Sequence, residues 1–392
     1  MLTPESLPTL QAILADLDLD GWLLFDFQET NPIAIGVLGL SGMLTRRHLG
    51  FIPQRGVPVA ICHAIEPWPW NGWPDEWSRA PYVSWRELEA ALSTAVRGKR
   101  VAMEYSPGNA VPYLDRVPAG ALEMVQAMGA EVVSSADLVT RFHAVWSREH
   151  LASHRRAAEL IATIAREAIV LAGRRAAQST PVAEHELRSW VVERLGDARL
   201  SFEAPPIVAA GANAADVHYS PSPERPRPVL AGDVLLVDLW AREPGGVYAD
   251  QTWMGVLGSP SGRVLEVWEA ARSARDAAIS FVRSRVEAGA SVRGAEVHEE
   301  ARRVLAERGF LRYAIGRAGH SIDPTQVHGA GPNLDSVETR DDRLLVPGVA
   351  FSIEPGIYIP QELGMRSEVN AVIAPGELVI TPREYQRELI VV

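Results

Sequence analysis

The chain has 392 residues, 47% hydrophobic and 22% charged, with a formal net charge of -11 and one cysteine. That length suits two domains with large cores, and that balance excludes a disordered or fibrous chain. The acidic excess argues against a phosphate-backbone binder, and the lone Cys62 excludes an internal disulfide framework and cysteine-rich zinc sites.

In chain order, PESLPTLQAILADL reads as a helix, and GWLLFDF, HLGFIP, VPVAICHAIE and KRVAMEY read as strands. Residues 1–146 are therefore expected to form a small α/β domain. The first twenty residues lack the basic and apolar regions of a signal peptide, and no apolar run reaches roughly 18 residues, so a cytoplasmic chain without a membrane span is expected. PWPWNGWPDEW, with four tryptophans and three prolines, reads as a loop pinned by aromatic packing. A substrate wall or a subunit contact is the other reading of that loop.

From Ser147, which can cap a helix, the apolar residues Leu151, Ala158, Ile161, Ala165, Ala168 and Leu171 recur at three- and four-residue steps as far as Gly173. A second helix is expected from Thr180-Pro181 to about Leu195, because proline suits a first turn. DVLLVDLW, a turn at EPGG, and GVYADQTWMGVL then read as a hairpin. The order repeats: helical patterns over about Gly262–Ala288 and Ser291–Arg308 precede a strand pair, GVAFSIEPGIYIP and GMRSEVNAVI, joined through PQELG. Residues 147–392 are thus expected to be one domain with an internal duplication, and the whole chain an α+β protein of two domains.

Each hairpin carries two acids. Asp238 follows an almost wholly apolar run, where an isolated carboxylate would cost several kcal/mol to bury. If the first hairpin turns symmetrically about Pro244, Asp238 lies opposite Asp250, with Cβ atoms on the order of 5 Å apart. The same construction about Gln361 sets Glu354 opposite Glu368. Two opposed acidic pairs in apolar strands call for cations, unless each acid is paired with an arginine or exposed at a strand end. His320, in GRAGHSID, offers an imidazole between the hairpins, although a lone histidine is more often structural. Four carboxylates and one imidazole suit Mn, Co or Zn, with two ions held roughly 3.5 Å apart by bridging carboxylates.

Over residues 148–392, GANAADVHYSP, GDVLLVDLW, GVYADQTW, GHSID, FSIEPGIY and GMRSEV occur in the order that resembles the pita-bread-fold metallopeptidases, the family of prolidase, aminopeptidase P and methionine aminopeptidase. The N-terminal half is more loosely similar to the creatinase/prolidase-type N-terminal domain, which methionine aminopeptidases generally lack. The likeness is therefore strongest to a bacterial Xaa-Pro dipeptidase. It implies two divalent ions held by Asp238, Asp250, His320, Glu354 and Glu368, a catalytic proton-shuttle role for Glu354, and a small proline-containing peptide as substrate. It also implies that His218 contacts the substrate near the scissile amide, that His328 donates to the substrate carbonyl, and that Arg366 supports the site electrostatically. Relatives are commonly dimers, so a homodimer is implied.

The chain departs from the family pattern in two places. His320 and His328 are eight residues apart rather than seven, with Pro324 inserted in SIDPTQV, and Pro332 stands where many prolidases have a carboxylate-binding arginine. Arg46 and Arg47 of the N-terminal half are the candidates for that clamp, as paired guanidinium groups suit a carboxylate. The expected reaction is hydrolysis of the bond before proline by a metal-activated water. Three other readings stay open: aminopeptidase P acting on longer Xaa-Pro- peptides, a hydrolase of another substrate such as an organophosphate triester, and a non-catalytic peptide-binding protein on the same fold.

Overall fold

The computed structural model describes residues 1–392, and the chain divides into two compact units, Met1–His143 and Ala144–Val392. In the first, helix α1 (Leu7–Asp16) is followed by strand β1 (Gly21–Phe27), helix α2 (Pro32–Leu38) and strands β2 (Arg47–Pro53), β3 (Val59–His63) and β4 (Ser78–Tyr82). Helix α3 (Trp85–Val96), β5 (Arg100–Met103), α4 (Ala119–Ala127), β6 (Glu131–Ser134) and the single turn α5 (Ala136–Leu138) complete it. The six strands form one mixed sheet ordered β4-β3-β2-β1-β5-β6. Alternate residues Leu23, Phe25, Leu49 and Phe51 share a core with Leu88, Leu92 and Val96 of α3, the period-two and period-3.6 patterns meeting face to face.

Strand β4 escapes a sequence reading because SRAPY is a polar edge strand containing proline, which only an edge tolerates. The tryptophan-rich loop is pinned as its composition suggests. Trp70, Trp73 and Trp77 stack edge to face with centroids 5.0 and 4.8 Å apart, and the Arg79 guanidinium donates to the carbonyls of Trp70 and Trp73.

The second unit opens on helix α6 (Arg148–Ala177), capped by Ser147, whose hydroxyl accepts from the His150 N–H. It runs past Gly173, because that glycine does not end the helix. It lets Val392 pack directly on the helix, in the space a side chain would fill. Helix α7 (Glu184–Asp197), strands β7 (Ile207–Ala210), β8 (Val234–Ala241) and β9 (Ala249–Val256), and helices α8 (Gly262–Glu287) and α9 (Gly294–Glu307) follow. Strands β10 (Ala350–Ile353), β11 (Gly356–Ile359), β12 (Leu363–Arg366), β13 (Val369–Ala374), β14 (Glu377–Thr381) and β15 (Ile390–Val391) end the chain.

Two helix starts differ from the sequence expectation for one reason. Residues before α7 and α9 are extended and bonded to a later segment, Ala183 bridging Pro228 and Arg293 bridging Leu344. The Val229 N–H donates to the Val182 carbonyl and the Leu345 N–H to the Val292 carbonyl, each at 2.9 Å. Glu186 then accepts from the Ala183 N–H and Glu296 from the Arg293 N–H, so each helix begins three residues later than proline or serine suggested. The coincidence of these bonds in the two halves is internal duplication at the level of single hydrogen bonds. Each half pairs two helices with a hairpin.

The hairpins differ in continuity. Strands β7, β8, β9 and β15 form a four-stranded sheet, whereas the second hairpin is broken into the pairs β10–β13 and β11–β12, with β14 beside β13. On β8 and β9 the odd-numbered Leu235, Val237, Leu239, Ala241, Ala249 and Trp253 pack under α6 and α7. The even-numbered Val234, Leu236 and Met254 join the core of α8 and α9, and Asp238, Asp250 and Thr252 share their parity.

Candidate metal centre

The two hairpins place the four acids differently. On the first, Asp238 pairs with Thr252 and Trp240 with Asp250, so Asp238 and Asp250 are diagonal neighbours on one face, not direct partners as a turn about Pro244 requires. The true centre is Gly245, whose φ of 72° suits glycine, and the Gly246 N–H closes the turn on the Glu243 carbonyl. On the second hairpin the register is the one expected. Ile353 opposes Val369 and Gly356 opposes Arg366, bracketing Glu354 and Glu368 about Gln361.

His320 arrives on an extended segment laid beside β10. The Ser352 N–H donates to the His320 carbonyl at 2.8 Å, and the Glu354 N–H donates to the Ala318 carbonyl at 2.7 Å. The ring Nδ1 lies 3.1 Å from the Ser321 carbonyl, which fixes the proton there and turns the Nε2 lone pair inward. That Nε2 lies 3.2 Å from Asp250 Oδ2 and 3.3 Å from Glu354 Oε1.

Donor atoms of three overlapping groups each lie within 4.8 Å of one another: Asp250, His320 and His328; His320, Glu354 and Glu368; Asp238, Asp250 and Glu368. Asp238, Asp250, His320 and Glu368 are each no more than 5% exposed, and Glu368 Oε1 has no hydrogen-bond partner. Burial pushes Asp238 up to about 7, against the pull of Arg366, and burial with the nearby Glu354 pushes Asp250 up to about 7. Burial and the charges of Asp250 and Glu354 drive Glu368 well above the usual carboxylate range. For Glu354 burial also works upward, but His320, Arg366 and Arg317 outweigh it and leave the carboxyl below its ordinary value. Converging buried oxygens, one of them orphaned, beside an imidazole nitrogen are the donor set a pair of divalent cations would satisfy.

Arg366 answers part of the charge. Its Nη2 donates to Asp238 Oδ2, its Nε donates to the Thr252 hydroxyl at 2.6 Å, and its Nε lies 3.8 Å from both Glu354 and Glu368. Supporting side chains that the sequence reading did not name surround the acids. Thr252 donates to Glu368 Oε2 at 2.6 Å, and Ser352 both accepts from the His320 N–H and donates to Glu354 Oε1 at 2.9 Å. Asn370 exchanges two hydrogen bonds with the Asp250 backbone. All three lie two residues from an acid, Thr252 from Asp250 within β9 and Ser352 and Asn370 from Glu354 and Glu368 just outside the ends of β10 and β13, so that spacing was the signal that could have found them.

His328 enters this cluster from its exposed side, its ring centroid 4.3 Å from that of His320, and the charge of His320, with partial desolvation by the surrounding chain, lowers it to about 4. His218 does not belong to any of the donor groups. It follows the turn Gly211–Ala215, is exposed, and donates its N–H to Asp216. That turn is fixed by buried Glu184, which accepts from the Ala210 N–H, the Asn213 amide and the Tyr219 hydroxyl, while strand β12 closes on it at Gly364, where a Cβ would strike the Ala214 carbonyl. Arg46 and Arg47 lie in the first unit, both exposed, with the Arg46 guanidinium donating to the carbonyl and hydroxyl of Thr45.

Residues 152–375 match metallopeptidase family M24. A probable dipeptidase PepE of Mycobacterium tuberculosis H37Rv is 34% identical over 186 residues, 47% of this chain and 46% of that protein. A Xaa-Pro dipeptidase of Lactobacillus delbrueckii subsp. lactis is 34% identical over 168 residues, 43% of this chain and 41% of that protein. The matched stretch thus spans less than half the length of these curated relatives. Among solved structures, dipeptidase PepE from Mycobacterium ulcerans superposes with a TM-score of 0.78 at 23% identity, covering 99% of this chain and 97% of the other. Prolidase from Thermococcus sibiricus superposes at 0.72 and 21% identity, over 100% of both chains. At those identities the likeness is one of fold, and it extends over both units.

Proposed function

The chain belongs to metallopeptidase family M24, and from that premise we propose that it hydrolyses the Xaa-Pro bond of dipeptides with two divalent ions, Mn, Zn or Co, held by Asp238, Asp250, His320, Glu354 and Glu368. The observation that carries the reading is the buried donor cluster, which includes the orphaned oxygen of Glu368. Bound there, divalent ions would supply an acidified water as nucleophile and Lewis-acid polarisation of the scissile carbonyl. Every other contribution comes from the chain. Glu354, held below its ordinary pKa beside His320 and Arg366, is a carboxylate able to take a proton and pass it to the leaving nitrogen of proline. His328, beside the cluster, donates to the carbonyl as charge develops on oxygen, and His218 steadies the amide from its own loop. Arg366 orients Asp238 and moderates the repulsion among the acids.

Two relatives bear names of Xaa-Pro dipeptidases and dipeptidases, and that supports dipeptide substrates. The deciding experiment loads the purified protein with Mn, Zn or Co and offers an Xaa-Pro dipeptide and an Xaa-Pro tripeptide. Cleavage of the dipeptide, with two metal ions per chain by elemental analysis, is expected. Cleavage of the tripeptide alone would turn the reading to aminopeptidase P, and absence of both activities at full metal content would overturn it.

A further inference from the structure

The loop between the two site histidines carries more bonds than a surface insertion needs. Asp323 is 1% exposed, and its carboxylate accepts four hydrogen bonds from the loop it begins. Oδ1 accepts from the Thr325 N–H, the Thr325 hydroxyl and the Gln326 N–H, each at 2.7 Å, and Oδ2 accepts from the Ala330 N–H at 3.0 Å. The Gly329 N–H returns to the Ser321 carbonyl at 2.7 Å. Gly329 lies so close that a Cβ would sit 2.6 Å from the Asp323 nitrogen, and a Cβ on Gly331 would collide with the Ser321 hydroxyl. His328 is therefore followed by residues that are bonded to and closely packed against Ser321 and Asp323.

The outside of the loop is tied as well. Arg343, paired with buried Asp341 at 2.6 Å, donates to the carbonyls of Ala330 and Gly331, each at 2.7 Å. Arg242, at the end of the first hairpin, donates to the Thr325 carbonyl, and the Trp146 indole donates to the Ile322 carbonyl at 2.9 Å. A lengthened spacing that left the loop slack would let the His328 ring wander, and a misplacement of about 1 Å at such a group can cost on the order of 100-fold in rate.

We propose that Asp323 is a positioning residue that folds the lengthened loop Ser321–Gly331 into a fixed bracket and holds His328 against the donor cluster. The proposal rests on the Xaa-Pro peptidase reading for its kinetic consequence but on the loop geometry alone for its structural one. Asp323 belongs to none of the donor groups, and its proposed part is to act through His328.

The test is a double-mutant cycle on metal-loaded enzyme with alanyl-proline as substrate. Asp323→Asn is expected to lower kcat by on the order of 10- to 100-fold with KM and metal content little changed, since the lost interaction belongs to the transition state. In a His328→Ala background the same change is expected to add nothing, because its target is gone. Full activity of Asp323→Asn, or losses that multiply in the double variant, would overturn the proposal. Thr325→Ala, which removes one of the four donors and keeps the carboxylate, serves if Asp323→Asn does not fold, and the same non-additivity with His328→Ala is expected of it. A second readout needs no substrate: in zinc-loaded protein with labelled histidines, the His328 ring resonance should be single and sharp, and shifted or broadened in either variant. An unchanged resonance overturns the positioning role even if the protein leaves every proline peptide uncut, so the two readings fail separately.

Discussion

Glu368 is 4% exposed, with one oxygen held by the Thr252 hydroxyl and the other without a partner, among three more acids. A neutral amide there should accept from Thr252 as well, without the repulsion of Asp250 and Glu354. Glu368→Gln is therefore expected to stabilise the metal-stripped protein by on the order of 1–3 kcal/mol while abolishing peptidase activity. Denaturant unfolding of both proteins after chelation measures it, and a less stable variant would count against a cation site. Glu104 in the first unit behaves differently, since its carboxyl accepts from the Trp22 indole and the Asn31 amide with no metal donors around it. Burial, opposed by those hydrogen bonds, raises it from 4.5 to about 7. A carboxyl raised in the folded chain holds its proton more tightly there than in the unfolded chain, so its contribution is full below 4.5 and is lost as pH rises through about 7. Wild type should accordingly lose on the order of 2–3 kcal/mol relative to Glu104→Gln between pH 5 and pH 8, read from urea unfolding of each at both pH values.

At the scale of elements, strand β12 and the turn Gly211–Ala215 meet at Gly364, where a Cβ would strike the Ala214 carbonyl. Gly364→Ala should cost about 1–3 kcal/mol of stability and also reduce kcat, since that turn leads to His218; an unchanged urea midpoint would show that the two segments part freely. The second hairpin was legible because its turn is symmetric about Gln361, which at φ 62° forms the bend, so the register follows from counting. The first was misread by one residue at its centre, because residues 242–248 form a longer connection whose midpoint depends on which N–H closes it. One residue there shifts cross-strand partners by two and preserves the face, so the acids stayed together although the pairing changed. His320 was weak from residues alone because its segment forms only isolated bridges and carries no strand pattern, and the resemblance supplied what periodicity could not. Thr252, Ser352 and Asn370 were hidden for another reason: they are ordinary strand residues until the acids beside them are known to need hydrogen bonds.

Taken as a whole, the second unit is a duplicated scaffold, two helices and a hairpin twice over, that closes four carboxylates onto a volume with Arg366 as their buried cation. Such a molecule should depend on metal in a way that depends on pH. With the ions removed, Asp238 and Asp250 are raised to about 7, so the folded stripped protein binds protons more tightly than the unfolded one and is stabilised below that pH. As pH rises through 7 that stabilisation disappears and the mutual repulsion is fully felt. Divalent ions bound there would act in the opposite sense, taking the deprotonated donors, so their contribution would grow with pH, and each would add about 2.7 kcal/mol at a free concentration 100 times its Kd. Chelation is thus expected to lower the melting temperature far more at pH 8 than at pH 5, with recovery on adding Mn, Zn or Co, as followed by differential scanning calorimetry. A loss of the same size at both pH values would mean that the ions act on some other part of the molecule, because only groups whose protonation competes with metal can produce the divergence.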